Sequence, residues 1–107
     1  MSIEDLRNFA LSLDNATESF PFGPDTLVFK TNNKIFLLAS LDSEPLQFNV
    51  KCDPELAIEL REQFACVLPG YHMNKKHWNT IVVNGSLSRK HLEAFISDSH
   101  LLVAKKK

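Results

Sequence analysis

The segment that decides the fold is TLVFKTNNKIFLLAS, residues 26–40. Two apolar runs, residues 26–30 and 34–40, flank the polar turn TNN, whose asparagines tolerate the positive φ of a tight turn. This pattern predicts an antiparallel hairpin. The second run is apolar at consecutive positions, so we expect a central strand that is covered on both faces.

Two further strands are predicted downstream of this hairpin. Residues 46–51 alternate strictly between apolar and polar side chains, which is typical of a strand with one buried face. Residues 77–83 form another β-type run that ends at the turn signal Asn84-Gly85. Residues 14–25 contain two prolines and a glycine, and they are predicted to form a loop without regular structure.

Three helices complete the pattern. The first is predicted over residues 3–13 after Ser2, the second begins at Pro54 after Asp53, and the last begins after Ser88. The order is helix, three strands, helix, one or two strands, helix. Antiparallel hairpins with helices packed mainly on one face predict a two-layer α+β domain.

Size and composition fit one ordinary globular domain spanning residues 1–107. The 44% apolar and 23% charged contents are typical of such domains. The longest apolar runs are far shorter than the roughly 20 residues of a membrane span. The N-terminal sequence MSIED is acidic and amphipathic, unlike a signal peptide, so we expect a cytoplasmic protein that does not enter membranes.

Charge is distributed unevenly along the chain. Residues 1–66 hold five Lys/Arg against eleven Asp/Glu, a difference of −6, whereas residues 67–107 hold seven against two, a difference of +5. The total is −1, so the protein is not a general polycation. An anionic partner would have to bind a local patch in the C-terminal part.

Motifs for catalysis and metal binding are missing from the sequence. There is no glycine-rich phosphate loop and no Gly-x-Ser-x-Gly motif. His72 and His77 are five residues apart around a turn, and Cys52 and Cys66 are too distant for a zinc knuckle. We therefore expect no enzyme activity, no metal and no cofactor, and two structural thiols.

One segment concentrates functional residue types: YHMNKKHWNT, residues 71–80. Aromatic rings stack on bases, and lysines contact phosphates. The alternative is that its aromatic residues belong to the core and that its lysines occupy a solvated turn. The candidate binding residues in this segment are Tyr71, His72, Asn74, Lys75, Lys76, His77 and Trp78.

This segment, extended to PGYHMNKKHWNT at residues 69–80, resembles the signature of the MmcQ/YjbR family. FPFG at residues 20–23, KIF at 34–36 and DSHLLV at 98–103 are similar to the family as well. The resemblance implies the fold α-β(3)-α-β(2)-α, with a short strand at residues 66–68. It also implies a DNA-binding label, which derives from similarity to the double-wing domain of a phage transcription factor.

The double-wing resemblance implies that the sheet face without helices would be the binding surface. Lys30, Asn49 and Lys51 are expected there, and these residue types contact phosphates and base edges. The alternative is that an open sheet face is polar because it is solvated.

Three functions remain open from the sequence. The first is a non-catalytic DNA-binding or regulatory module of the MmcQ/YjbR type. The second is a protein-interaction module that uses Phe36 or Leu38 on the uncovered sheet face as anchors. The third is a small-molecule-binding domain with its pocket between residues 20–24 and 71–78. The sequence does not indicate an oligomeric state.

Overall fold

The computed structural model of the protein describes residues 1–70 and 73–104. This part of the chain forms three helices and six strands. In chain order they are α1 (Ile3–Leu11), β1 (Ala16–Ser19), β2 (Thr26–Thr31), β3 (Lys34–Ser40), β4 (Gln47–Lys51), α2 (Pro54–Gln63), β5 (Val67–Pro69), β6 (Trp78–Val82) and α3 (Arg89–Ala104).

The six strands form one antiparallel sheet in the order β1-β2-β3-β4-β6-β5. The helices pack on one face: α3 contacts β2, β3 and β4, α1 contacts β1 and α3, and α2 contacts β5 and β6. The predicted two-layer α+β fold is therefore confirmed. No helix in residues 1–70 and 73–104 has the length and apolarity that crossing a membrane requires.

The element order contains one strand more than α-β(3)-α-β(2)-α. β1 (Ala16–Ser19) lies within residues 14–25, which were predicted to be loop, and it pairs with β2. Asn15, with φ of 58°, turns the chain into this strand. On the helix side, Glu18 accepts two hydrogen bonds from Arg7 of α1, at 2.6 and 2.7 Å. A short polar strand gives no apolar alternation, so this prediction was wrong for residues 16–19.

The helix starts follow the predicted signals. Ser2 and Asp5 form a capping box, in which the side chain of each accepts a hydrogen bond from the backbone N–H of the other. α1 ends at Leu11, two residues earlier than predicted. Asp53 precedes Pro54 as predicted, but its carboxylate makes no capping hydrogen bond with α2.

The core has two parts because both faces of the sheet bury apolar side chains. The larger part lies between the sheet and the helices and includes Phe29 and Phe48, both fully buried. A smaller cluster lies on the other face, where Val28, Leu38 and Trp78 are buried together. The central strand β3 is thus covered on both faces, as predicted.

β3 contains a bulge that redirects one large side chain. Phe29 and Lys30 of β2 pair with Leu37 and Ile35, which leaves Phe36 as an extra residue in β3. Phe36 therefore enters the helix-side core together with Leu37.

Ser99 of α3 bridges the two strands beside this bulge. Its hydroxyl donates to the carbonyl of Phe36 at 2.6 Å and accepts from the backbone N–H of Lys51 at 2.8 Å. Ser99 is fully buried, so helix α3 is joined directly to the ends of β3 and β4.

Candidate functional site

We call the sheet face opposite the helices the open face. Because side chains alternate along a strand, about every second residue of β1, β2, β3, β4 and β6 points to this face, and the register aligns these residues across the sheet. These residues are Thr17, Ser19, Thr26, Val28, Lys30, Ile35, Leu38, Ser40, Gln47, Asn49, Lys51, Trp78 and Thr80.

Carboxylates are absent from these open-face positions. Among the strands of the described chain, the one acidic residue is Glu18, and its ion pair with Arg7 of α1 holds it on the helix side. Asp25, Asp42 and Glu44 lie in the turns at one end of the sheet, while Asp14 and Asp53 lie in the segments next to β1 and β4 at the other end. The strand positions of this face thus combine a small apolar cluster with polar and basic side chains, and none of them is negatively charged.

Lysines gather at the other end of the sheet, which we call the basic end. Lys30 ends β2 and Lys34 begins β3, while Lys51 ends β4 opposite Trp78, the first residue of β6. Lys30 and Lys51 are on strands separated by β3, so their backbones are about 10 Å apart. Lysines distant in sequence are therefore brought to one margin of the sheet.

The predicted segment reaches the same basic end. Lys75 and Lys76 are exposed, and the carbonyl of the neighbouring His77 accepts a 2.7 Å hydrogen bond from the backbone N–H of Cys52, next to Lys51. Thus Lys75, Lys76, His77 and Lys51 lie together. Tyr71 and His72, which belong to the same prediction, lie outside the described residues.

Residues 73–77 form a hydrogen-bonded turn. Asn74 organises it: its carbonyl accepts from the backbone N–H groups of His77 and Trp78 at 3.0 and 2.9 Å, and its side-chain oxygen accepts from that of Lys76 at 2.9 Å. Arg61 of α2 donates to the carbonyl of Lys75. Asn74 thus has a structural role in presenting the lysines.

Arg61 was not singled out from the sequence. It also donates to Asn79 Oδ1 at 2.7 Å, and Asn79 is almost completely buried beneath α2. One arginine therefore joins α2, β6 and the turn of residues 73–77, which we call the lysine turn. In the sequence it is an ordinary helix-surface cation, and no local signal distinguishes it.

Trp78 is a core residue of the open face. It is 9% exposed and packs with Val28 and Leu38, with Met73 partly covering the cluster. Gly70 lies against it: a Cβ atom on Gly70 would be 2.9 Å from Trp78 Cβ and 3.0 Å from the Trp78 carbonyl oxygen. For Trp78, the structure therefore supports the alternative that the aromatic residues of this segment belong to the core.

The two anchors suggested for a protein-interaction surface are not exposed. Phe36 is fully buried in the helix-side core, and its ring contacts His100 edge-on at a centroid distance of 5.0 Å. Leu38 is 7% exposed, beneath Trp78 and Met73. The bulge in β3 and the turn before β6 explain why neither side chain reaches the surface.

Two cavities lie on opposite sides of the sheet. One, of about 350 Å³, lies on the open face between the loop residue Phe22 and Met73, with Asn49 in its wall. The other, of about 390 Å³, lies between α2 and α3 on the helix side. Its apolar lining includes Leu56, Leu60, Phe95 and Leu102.

The helix-side cavity also contains Cys52. Burial raises the pKa of the Cys52 thiol, and the carboxylates of Asp53 and Asp98 raise it further. The thiol is thus protonated at neutral pH and is a poor nucleophile there. Within the described residues, His, Cys, Asp and Glu form no group of three or more that could hold a metal ion.

These features define a two-layer α+β domain whose uncovered sheet face carries polar and basic side chains. The YjbR family model matches residues 11–102, and the chain therefore belongs to the YjbR family. It is 39% identical over 101 residues to uncharacterized protein YbdF of Escherichia coli O157:H7, covering 94% of this chain and 82% of that protein. It is 27% identical over 100 residues to uncharacterized protein YjbR of Escherichia coli K12, covering 94% and 85%.

Solved structures share the fold. The crystal structure of Deinococcus radiodurans protein DR2400, described as a DUF419 domain, superposes with a TM-score of 0.92 at 37% identity, over 98% of this chain and 80% of that one. A crystal structure of a Pseudomonas syringae protein gives a TM-score of 0.81 at 28% identity, over 95% and 98%. These likenesses support the family and the fold.

Proposed function

We propose that the protein is a non-catalytic nucleic-acid-binding module, and that it binds through the basic end of its open face. The observation that carries this proposal is the arrangement of charge. Lys30, Lys51 and the Lys75-Lys76 pair come from separate elements to one margin of a face whose strand positions hold no carboxylate.

Lysines bind phosphates in a way that depends strongly on salt. Each lysine that neutralises a phosphate releases condensed counterions, which favours binding at low salt. Three or four contacts give a log–log salt slope of about −3, and affinity without sequence information is then micromolar or weaker at physiological salt. The acidic turns at the opposite end of the sheet, at Asp25, Asp42 and Glu44, disfavour a phosphate backbone there.

The test is fluorescence anisotropy with random duplex DNA and random single-stranded DNA across a salt series. Lys51→Ala and Lys75→Ala/Lys76→Ala are compared with wild type. Lys90→Ala is the control for the single substitution, because Lys90 is equally a lysine but is exposed on the helix layer. The basic-end variants should weaken binding and reduce the salt slope by about one per lysine removed.

Two outcomes contradict the proposal. One is the absence of binding by wild type at low salt. The other is binding that Lys90→Ala weakens as much as Lys51→Ala, because the attraction would then be a property of total charge.

A small-molecule-binding function is the second candidate, and the 350 Å³ cavity of the open face supports it. Phe22 and Leu38 supply apolar surface there, while Thr26, Ser40 and Asn49 supply polar groups. This combination is typical of ligand pockets, and 350 Å³ is at the small end of their range. A thermal-shift screen of metabolites, repeated with Phe22→Ala, tests it: a stabilising compound should lose its effect in the variant.

A further inference from the structure

The cavity on the open face, which we call the Phe22 pocket, has features that suit a flat, polar-edged ring. Phe22, Met73 and Leu38 supply apolar parts of its lining. Polar groups from Ser40 and Asn49 line the sheet side. The lining thus offers an aromatic ring and a thioether beside hydroxyl and amide groups, which suit the face and the edge of a planar ring.

Asn49 is oriented within this pocket. The hydroxyl of Thr80 on β6 donates to Asn49 Oδ1, which fixes the oxygen of the amide toward Thr80. The amide nitrogen is then directed away from β6, and its two N–H donors are available to a ligand in the pocket. An amide donor beside a serine hydroxyl can hydrogen-bond the acceptor atoms of a nucleobase edge.

Phe22 is 64% exposed although it is a large apolar side chain. It lies in the loop between β1 and β2, and burying its ring under a ligand would remove apolar surface from water. Stacking of a base on an aromatic ring raises affinity by about 5- to 150-fold per base. A base in the pocket would thus contact the part of Phe22 that solvent now covers.

Spacing connects the pocket with the basic end. Lys51 lies two residues after Asn49 on β4, and both side chains are on the open face, so their Cα atoms are about 7 Å apart. This separation is comparable to that between a base and the phosphate of the same nucleotide. A base at Asn49 therefore leaves its phosphate within reach of Lys51.

We infer that the open face binds single-stranded nucleic acid, with one unpaired base inserted in the Phe22 pocket and the phosphate of that nucleotide at Lys51. The inference rests on the proposed function and narrows it. In a duplex the bases are stacked and paired, so their faces are unavailable to an aromatic side chain, whereas a single strand can turn a base outward.

The test compares a fluorescent single-stranded oligonucleotide with its duplex, using wild type, Phe22→Ala and Phe20→Ala. Phe20 is a matched control because it lies in the same loop and is 51% exposed, but does not line the Phe22 pocket. Phe22→Ala should lower single-strand affinity by about 5- to 150-fold, from the loss of one stacking contact. Phe20→Ala should change it less than twofold, and neither variant should affect duplex binding.

The outcomes separate this inference from the proposed function. Lysine-dependent binding that is equal for duplex and single strand, and unchanged in Phe22→Ala, overturns the pocket inference while leaving the proposed function standing. Absence of any binding overturns both. A mononucleotide that binds in a Phe22-dependent manner while single strands do not would identify a free nucleotide as the ligand, and this also overturns the single-strand assignment.

Discussion

Ser99 supports the sharpest prediction about stability. In Ser99→Ala the Phe36 carbonyl and the Lys51 N–H both lose the hydroxyl that they now share. A buried backbone group left without a partner costs about 1–3 kcal/mol. Because the Phe36 contact is buried and the Lys51 contact is partly buried, the two losses together predict about 2–4 kcal/mol of destabilisation.

Urea unfolding followed by circular dichroism and by the fluorescence of Trp78 measures this change. With a denaturant slope of about 1–3 kcal/mol/M, the midpoint should fall by roughly 0.7–4 M. Ser97→Ala is the matched control: Ser97 lies on the same helix and is half-buried, and its substitution should change the free energy of unfolding by less than about 0.5 kcal/mol.

Hydrogen exchange gives a second, local measurement. The amide of Lys51 should exchange faster in Ser99→Ala, because its acceptor is removed, and the Ser97 variant should leave it unchanged. If Ser99→Ala unfolds at the wild-type urea concentration with normal protection at Lys51, then Ser99 does not bridge the strands as described, and the reasoning is refuted.

Three further predictions concern the open face and α1. Trp78→Ala should destabilise the fold by about 3–5 kcal/mol in urea unfolding followed by circular dichroism, and Trp78→Phe by clearly less; equal, small effects would show that Trp78 is not a core residue. Gly70→Ala should cost about 1–3 kcal/mol in the same assay, because the added Cβ meets the Trp78 backbone, and wild-type stability would contradict this. The Arg7 guanidinium lowers the pKa of Glu18 below its usual value, so this pair stabilises the fold above the unfolded-state pKa and the contribution is lost as pH falls through the lower, folded-state pKa. Unfolding of Glu18→Gln in urea at neutral and acidic pH should therefore show a smaller pH dependence than wild type, and an identical pH dependence would contradict the pairing.

Much of the fold was predictable because its signals are local. The hairpin of residues 26–40, the alternation of residues 46–51 and the helix starts at Ser2 and Ser88 each lie within a few neighbouring residues. The strand at residues 16–19 could not be found in this way. It is short and polar, and its pairing with β2 and the ion pair between Arg7 and Glu18 define it in three dimensions.

The candidate site was predictable in part for the same reason. Lys75 and Lys76 are visible as a pair, and strand alternation places Lys51 and Asn49 on one face. The orientation of the Asn49 amide depends on Thr80, which is 31 residues away in sequence. The support of the lysine turn by Arg61, and the bulge that buries Phe36, likewise arise from pairings between distant segments.

The two edge strands of the sheet determine how readily a strand from another chain could pair with it. β1 has four residues, and β5 has three and ends at Pro69, which lacks a backbone N–H. Edges this short are poor templates for adding a strand from another molecule. The segment KIFLLAS at residues 34–40, which has the apolar, β-prone composition of fibril-forming peptides, is central and paired on both sides. Aggregation should therefore begin from unfolded chains, and its rate should rise with the population of unfolded protein, so destabilising substitutions should accelerate it.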